Sequence, residues 1–368
     1  MKTYKGGIHW ATAGDSHGEC LIGIIYGLPP GWKLEPSLAN HLLAERSKGF
    51  GRSQRQSFEN DTIEVIGGLW KGKTVGSPLL LKISNKGQKE PPKEEDWRVR
   101  PGHADFSGSI RTGMPPKAIA ERASARETAI RTAMGGIALS LLQDLSDTEI
   151  FSYVESIGDV SCGEVDLSIE NNLNWPNEKT YDDAIKAIKN AGKKGTTLGG
   201  SVSLIIKNLP PGIGESDMPM SKLSSRLGQA LLSIPSIKGI SFGEGLDVSG
   251  KMGYEAHDLI DEETNYAGGL EGGRTNGKPI IVKLWSKPIS TQRKPLPSIN
   301  LKTGEKTESP YVRSDVVVVP AISVIAKSLA SLIVLESVGS MLGRGTFEQW
   351  KQRWSDYLKS FPEWLQKK

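Results

Sequence analysis

The sequence predicts an α+β fold, and three features of it do so. Short runs rich in β-branched residues, such as Asp61 to Ser84 and Ser201 to Pro210, are bounded by Gly and Pro turns. Two long stretches, Ala118 to Leu145 and Ala321 to Leu342, are apolar on most of their surface, the pattern of helices buried in a core. Strands and helices also lack the regular alternation of βαβ units, which argues against a doubly wound parallel sheet.

In chain order, the N-terminus MKTYKGGIHW carries no apolar signal region, so no secretory leader is expected. Lys86 to Asp96 is charged with a Pro-Pro pair, and Arg293 to Ser309 is polar with turn residues; both read as exposed loops. Strong motifs lie on both sides of each, so one domain over residues 1–368 is expected. Val316 to Val319 reads as a buried strand leading into the apolar helix. Near the end, Phe347, Trp350, Trp354, Leu358 and Phe361 recur at helical spacing and predict an amphipathic helix over about residues 346–366. Its apolar face is expected to dock on the body or on a neighbouring subunit.

The hydrophobic fraction of 37% and charged fraction of 24% are ordinary for a soluble chain of 368 residues, long enough to bury a large core. The nearest approach to a membrane span, Val316 to Leu342, is broken by Pro320, Lys327 and Glu336. With Cys20 and Cys162 as the only cysteines, neither a disulfide framework nor a zinc site is expected, and no other metal site is read. A cytoplasmic enzyme fits these features. The net charge of +4 is mild, so the placement of the arginines matters more than their number.

Of the five histidines, His17 in AGDSHGE and His103 in RPGHADF sit in glycine-containing, loop-like contexts. Histidine is the side chain best suited to proton transfer near neutral pH, although one beside glycine often serves only as a structural hydrogen bonder. His9, His41 and His257 have no comparable context. Arg46, Arg52 and Arg55 surround a Gly-Phe-Gly turn, Arg100 precedes a Pro-Gly turn, and Arg122 and Arg126 lie in ERASARET. Singly these read as solvated charges; converging, their forked guanidinium groups suit a small polyanion. GGLEGGRTNG, followed by KPIST, allows close backbone approach to a ligand, but it matches neither a dinucleotide fingerprint nor a P-loop.

AGDSHGE, GFGRSQR, GKTVGSP, RPGHADF, ERASARETAIRTAMGGIA, GGLEGGRTNGKPI, KPIST and RSDVVVVPA occur in this order from about residue 9 to residue 343. In these motifs the sequence resembles the chorismate synthase family over nearly its whole length. The resemblance implies a carbon-oxygen lyase of aromatic amino acid biosynthesis. Its reaction is a 1,4-elimination of phosphate and a ring proton from 5-enolpyruvylshikimate-3-phosphate, with reduced FMN as cofactor and no net redox change. It further implies a β-α-β sandwich with helices between two antiparallel sheets, a homotetramer, an external source of reduced flavin with NADPH as a possible reductant, and no nucleic-acid or membrane partner.

By the same resemblance, His17 is a general acid near the phosphate, His103 protonates the flavin ring, and Asp315 helps the flavin remove the ring proton. Arg46, Arg52, Arg100 and Arg126 are implied to bind the substrate. Implied flavin contacts are Arg46, Arg52, Arg55, Arg122, Ala123, Ser124, Gly272, Arg313, and the loop of Lys287, Pro288, Ile289, Ser290 and Thr291. Without the resemblance, Asp315 reads as a cap before a strand and Lys287 as a strand end.

The sequence also departs from the family pattern. Ile110 to Arg122 is one residue shorter than usual, with Thr112 in place of a Tyr and Pro115-Pro116 in place of an Arg-Asp pair. Pro235-Ser236 stands where Asn-Ala is common, and Gln56 where Met is usual. These departures leave open a flavin-binding member with lost or altered activity. A more remote alternative is a basic nucleic-acid-binding protein that reads through its aromatic C-terminal helix. Against it, the arginines lie in glycine turns and not along one helix face.

Overall fold

A computed structural model describes residues 7–51, 61–86, 94–260, 263–312 and 315–366. Two antiparallel sheets enclose the long helices. The first has the order β1 (His9–Gly14), β2 (Cys20–Tyr26), β4 (Leu79–Ser84), β3 (Glu64–Gly67). The second has the order β8 (Ile237–Phe242), β9 (Ile280–Ser286), β7 (Gly200–Lys207), β5 (Glu149–Ile157), β6 (Val160–Ser161). Every pairing within them is antiparallel. Alternation sets the inner faces: Leu21 and Ile25 on β2, and Leu79, Leu81 and Ile83 on β4, are buried while their neighbours are more open.

The helices in order are α1 (Ser37–Ser47), α2 (Asp105–Thr112), α3 (Pro116–Ala123), α4 (Thr128–Leu145), α5 (Glu178–Lys193), α6 (Leu223–Leu232), α7 (Val319–Leu342) and α8 (Phe347–Lys359). α4 lies against β2 and β4, α7 lies against β5 and β7, and the two helices pack on each other to form the middle of the sandwich. Glycine makes this approach possible. A Cβ on Gly135 of α4 would stand 2.3 Å from the Ser328 carbonyl oxygen on α7. α7 is long and apolar enough to cross a membrane, yet 83% of its most apolar window is buried within the fold.

Four sequence expectations change. The helix expected over Ala118 to Leu145 is interrupted: Ser124 is extended, its Oγ accepts the Arg126 N–H at 3.2 Å, and a 3-10 turn over Ala125–Glu127 precedes α4. Val316 to Val319 is not a strand. Val317 makes a single parallel bridge to Leu198, and α7 begins at Val319 with Pro320 in its first turn. The loop expected over Arg293 to Ser309 contains a hairpin of Pro297–Ile299 and Lys306–Glu308. The C-terminal helix ends at Lys359, before Pro362, and a short helical turn over Glu363–Gln366 follows. Its Phe347, Trp350 and Trp354 are buried, whereas Leu358 is exposed. The charged stretch over residues 87–93 lies outside the described residues.

Glu336 of α7 is buried beside Trp10 and pairs with Arg226 of α6. Burial outweighs the Arg226 charge and the hydrogen bonds, and pushes its carboxyl up to about 7 from an ordinary 4.5. The folded state therefore binds this proton more tightly than the unfolded chain. That contribution to stability is present at low pH and lost as pH rises between the two values, about 4.5 and about 7. Glu336→Gln, which cannot ionise, is expected to flatten the decline of melting temperature over that window. Parallel melting curves for variant and parent across it would contradict the account.

Candidate active site

One group of functional residues gathers where α4 begins. His17 sits in the turn between β1 and β2, with its ring Nδ1 2.8 Å from Glu121 Oε1 on α3. The His17 backbone N–H donates to the other Glu121 oxygen at 2.9 Å, and the Ser16 N–H to the Glu121 carbonyl at 3.1 Å. Burial would raise the Glu121 carboxyl, but the His17 hydrogen bonds and the nearby Lys117 charge hold it below its ordinary value. Asn85 braces the same turn through bonds from its amide to the carbonyls of Asp15 and Gly18, at 3.0 and 2.9 Å.

Two of the arginines around this turn, Arg46 and Arg126, are built in and not loose on the surface. Arg126 donates to Asn85 Oδ1 at 2.9 Å and forms a two-pronged pair with Asp61 at 2.5 and 2.9 Å. Arg46 is buried, and its Nε and Nη2 hold Thr128 Oγ1 and the Ala125 carbonyl at the start of α4. Arg122 is half-exposed and reaches Thr12 Oγ1 at 3.1 Å and the Gly14 carbonyl at 3.4 Å. Ala123 and Ser124 lie beside it at the break between α3 and the 3-10 turn.

The second group is the turn from Arg100 to Asp105. Asp105 is fully buried at the first position of α2, and its carboxylate takes His103 Nδ1 at 2.6 Å and Arg100 Nε and Nη2 at 2.7 and 2.9 Å. Burial alone would raise its carboxyl, yet bonds from His103 and Arg100 hold it far below the usual range. Arg100 Nη1 reaches Thr291 Oγ1 at 3.2 Å, and the Gly102 carbonyl accepts from Lys287 Nζ and from Ser290 Oγ. Burial and the charge of Lys238 lower the Lys287 amine. Arg100, His103, Phe106 and Ile299 line an open cleft of about 360 Å³ here.

Asp315 is half-buried and tied to the loop through two steps. The Leu198 N–H donates to the Val316 carbonyl at 2.9 Å, and Thr197 Oγ1 donates to the Ile289 carbonyl at 2.8 Å. The Val316 N–H donates to the Gly51 carbonyl at 2.8 Å, which joins the Gly-Phe-Gly turn to the same place. The two histidine groups are themselves connected, because α2 and α3 touch: a Cβ on Gly108 would stand 2.4 Å from Ile119 Cγ2. The shortened segment over Ile110 to Lys117 is thus an ordered corner. Gly113 closes α2 in the left-handed conformation and Pro116 opens α3.

Gly272 is not brought to this loop. It sits in the turn of the hairpin before β9, whereas Lys287 follows the other end of β9. A seven-residue strand separates its ends by about 20 Å. Pro235-Ser236, by contrast, adjoins the loop, since Lys287 N–H donates to the Ser236 carbonyl at 3.0 Å. Arg52, Arg55, Arg313 and Gln56 lie outside the described residues. Among the described residues, no cluster of His, Cys, Asp and Glu suits a metal ion.

Sequence pattern alone did not reveal Asp105, Glu121, Asp61 or Asn85. Asp105 stood two residues after His103 in a motif already singled out. Glu121 and Asp61 carried no local signal, because they meet their partners across 104 and 65 residues.

The sequence profile of the chorismate synthase family matches residues 8–338. Chorismate synthase of Endomicrobium trichonymphae is 37% identical, covering 95% of this chain and 98% of its own. That of Corynebacterium jeikeium (strain K411) is 35% identical, covering 96% and 93%. A solved structure, a crystal structure of chorismate synthase, superposes with a TM-score of 0.76 at 29% identity, covering 95% of this chain and 97% of the other. Sequence and fold agree: the chain belongs to the chorismate synthase family.

Proposed function

We propose that this chain eliminates phosphate from 5-enolpyruvylshikimate-3-phosphate with reduced FMN, working through two histidine–carboxylate centres joined by the α2–α3 contact. One observation carries the reading: His17 and His103 each hold ring Nδ1 on a carboxylate, and the helices bearing those carboxylates touch. In the reaction the C–O bond to phosphate breaks with its electron pair leaving on phosphate. A ring C–H bond breaks as well, and its electrons enter the new diene. His17 serves as the acid beside the departing phosphate, and Asp315 is where the ring proton is delivered. Arg100 in one group, and Arg46 and Arg126 in the other, supply positive charge to a substrate bearing two carboxylates and a phosphate. His103, with Nδ1 engaged by Asp105, takes up a proton at its other ring nitrogen and passes it to the flavin ring.

The donor set fits a flavin phosphate in part. Lys287, Ser290 and Thr291 place a cation and two hydroxyls around Gly102 and Arg100, with Arg122, Ala123 and Ser124 at the neighbouring helix break. When bound, reduced flavin supplies electron density that eases phosphate departure with no net oxidation. Gly272 lies in the hairpin at the other end of β9 from Lys287, away from this loop. Assembly as a homotetramer, reduced flavin from an external source with NADPH as a possible reductant, and a cytoplasmic location complete the proposal.

The test is substrate titration into the FMN-loaded protein at low salt and again near physiological salt. Attraction to a polyanion is screened over roughly 8–10 Å near physiological ionic strength, so the apparent Kd is expected to rise with salt. Arg100→Ala should raise it further and reduce its salt dependence. Binding that is indifferent to salt in the parent protein would contradict an arginine-lined pocket.

A further inference from the structure

We propose that Asp105 is the positioning residue of this site: it holds His103 in the tautomer with the proton on Nδ1, so that Nε2 is the working nitrogen. With the same carboxylate it fixes the guanidinium of Arg100. The inference rests on the reading of the cleft given above and goes beyond it by naming which nitrogen works and what selects it.

The geometry points to this role by counting donors. Asp105 Oδ2 receives the Arg100 backbone N–H at 3.1 Å and Arg100 Nε at 2.7 Å, while Oδ1 receives Arg100 Nη2 at 2.9 Å and stands 2.6 Å from His103 Nδ1. The carboxylate is fully buried, out of reach of bulk solvent. A protonated acid would turn an O–H at one of its own donors, and three of them belong to Arg100, which is always charged. The ionised form satisfies all four, and an ionised carboxylate has no hydrogen to give. The hydrogen in the 2.6 Å contact therefore comes from His103 Nδ1. Arg100 Nη2 and His103 Nδ1 lie 3.2 Å apart because both donate to Oδ1, not because they bond each other. With Nδ1 committed, Nε2 is the nitrogen His103 can offer to a ligand in the cleft it lines. Through Arg100 Nη1 the arrangement extends to Thr291. One buried carboxylate thus sets both a proton carrier and a substrate cation.

A purely structural Asp105 would staple the turn to α2 and leave the tautomer unspecified, and two measurements separate the roles. The first needs no Asp105 variant. Protein labelled with 15N at histidine, free of FMN, is compared with His103→Ala to assign the His103 ring signals. At a pH where the ring is neutral, the expected pattern is a protonated Nδ1 and an unprotonated Nε2, the nitrogen that takes up the proton His103 then delivers; the opposite tautomer would overturn the proposal. The second is a double-mutant cycle on turnover with chemically reduced FMN. Asp105→Asn is expected to lower kcat by about 10²-fold, because the amide can present N–H to Nδ1 and favour the wrong tautomer. It should also raise KM by loosening Arg100. In the His103→Ala background the kcat loss should vanish while the KM rise persists. An equal kcat loss in both backgrounds would overturn the role. If the parent protein releases no phosphate, the functional reading fails, yet the ring nitrogen signals still decide what Asp105 does.

Discussion

Replacing His17 by Ala is expected to lower turnover by about 10²- to 10⁴-fold, the range a positioned general acid contributes. Glu121 holds the ring in place. It takes Nδ1 at 2.8 Å and the His17 backbone N–H at 2.9 Å, so the imidazole is fixed relative to the turn that carries it. FMN affinity should change little, because the loop of Lys287 to Thr291 lies with the other histidine group, against Gly102. Of the described residues assigned to the flavin, only Arg46, Arg122, Ala123 and Ser124 lie on the His17 side. The checks are steady-state turnover with chemically reduced FMN and an FMN titration on the same sample. Near-normal turnover would remove His17 from the mechanism. A loss of FMN binding in parallel with turnover would assign it a structural role instead.

Asp315→Asn is expected to cost turnover by a similar factor, about 10²-fold or more, with the fold intact. The amide has nearly the shape of the carboxylate but cannot take up a proton. The backbone around it is secured independently, through the Val316 bonds to Gly51 and Leu198 and the start of α7 at Val319. A melting curve close to the parent's, with slowed single-turnover product formation, is the expected pair of results. Activity that falls only in proportion to lost folded protein would make Asp315 a cap for the segment before α7.

Much of this architecture was legible in the sequence, for identifiable reasons. β4 and β7 lie in the β-branched runs Asp61 to Ser84 and Ser201 to Pro210, bounded by Gly and Pro turns. α7 is apolar on most of its surface because most of it is covered. Other features lay beyond sequence pattern. Ser124 breaks the expected long helix through a bond from Arg126 N–H to its own side chain, an option that periodicity does not register. Glu121 reaches His17, and Asp61 reaches Arg126, only after the first sheet and α3 have come together. The Val316 to Val319 run has β-branched residues yet forms only one bridge, since Leu198 is its sole ladder partner among the described residues. The separation of Gly272 from Lys287 was not read from the sequence; it follows from the strand Ile280–Ser286 lying between their motifs.

Whether these segments form a working elimination site, despite the altered corner between α2 and α3, is decided by one reaction. It is anaerobic turnover of 5-enolpyruvylshikimate-3-phosphate with chemically reduced FMN, following chorismate by absorbance and phosphate by a coupled assay in the same vessel. Equal amounts of the two products, formed only when reduced FMN is present, are the predicted result. A folded protein that binds FMN and releases neither product would contradict the proposed activity.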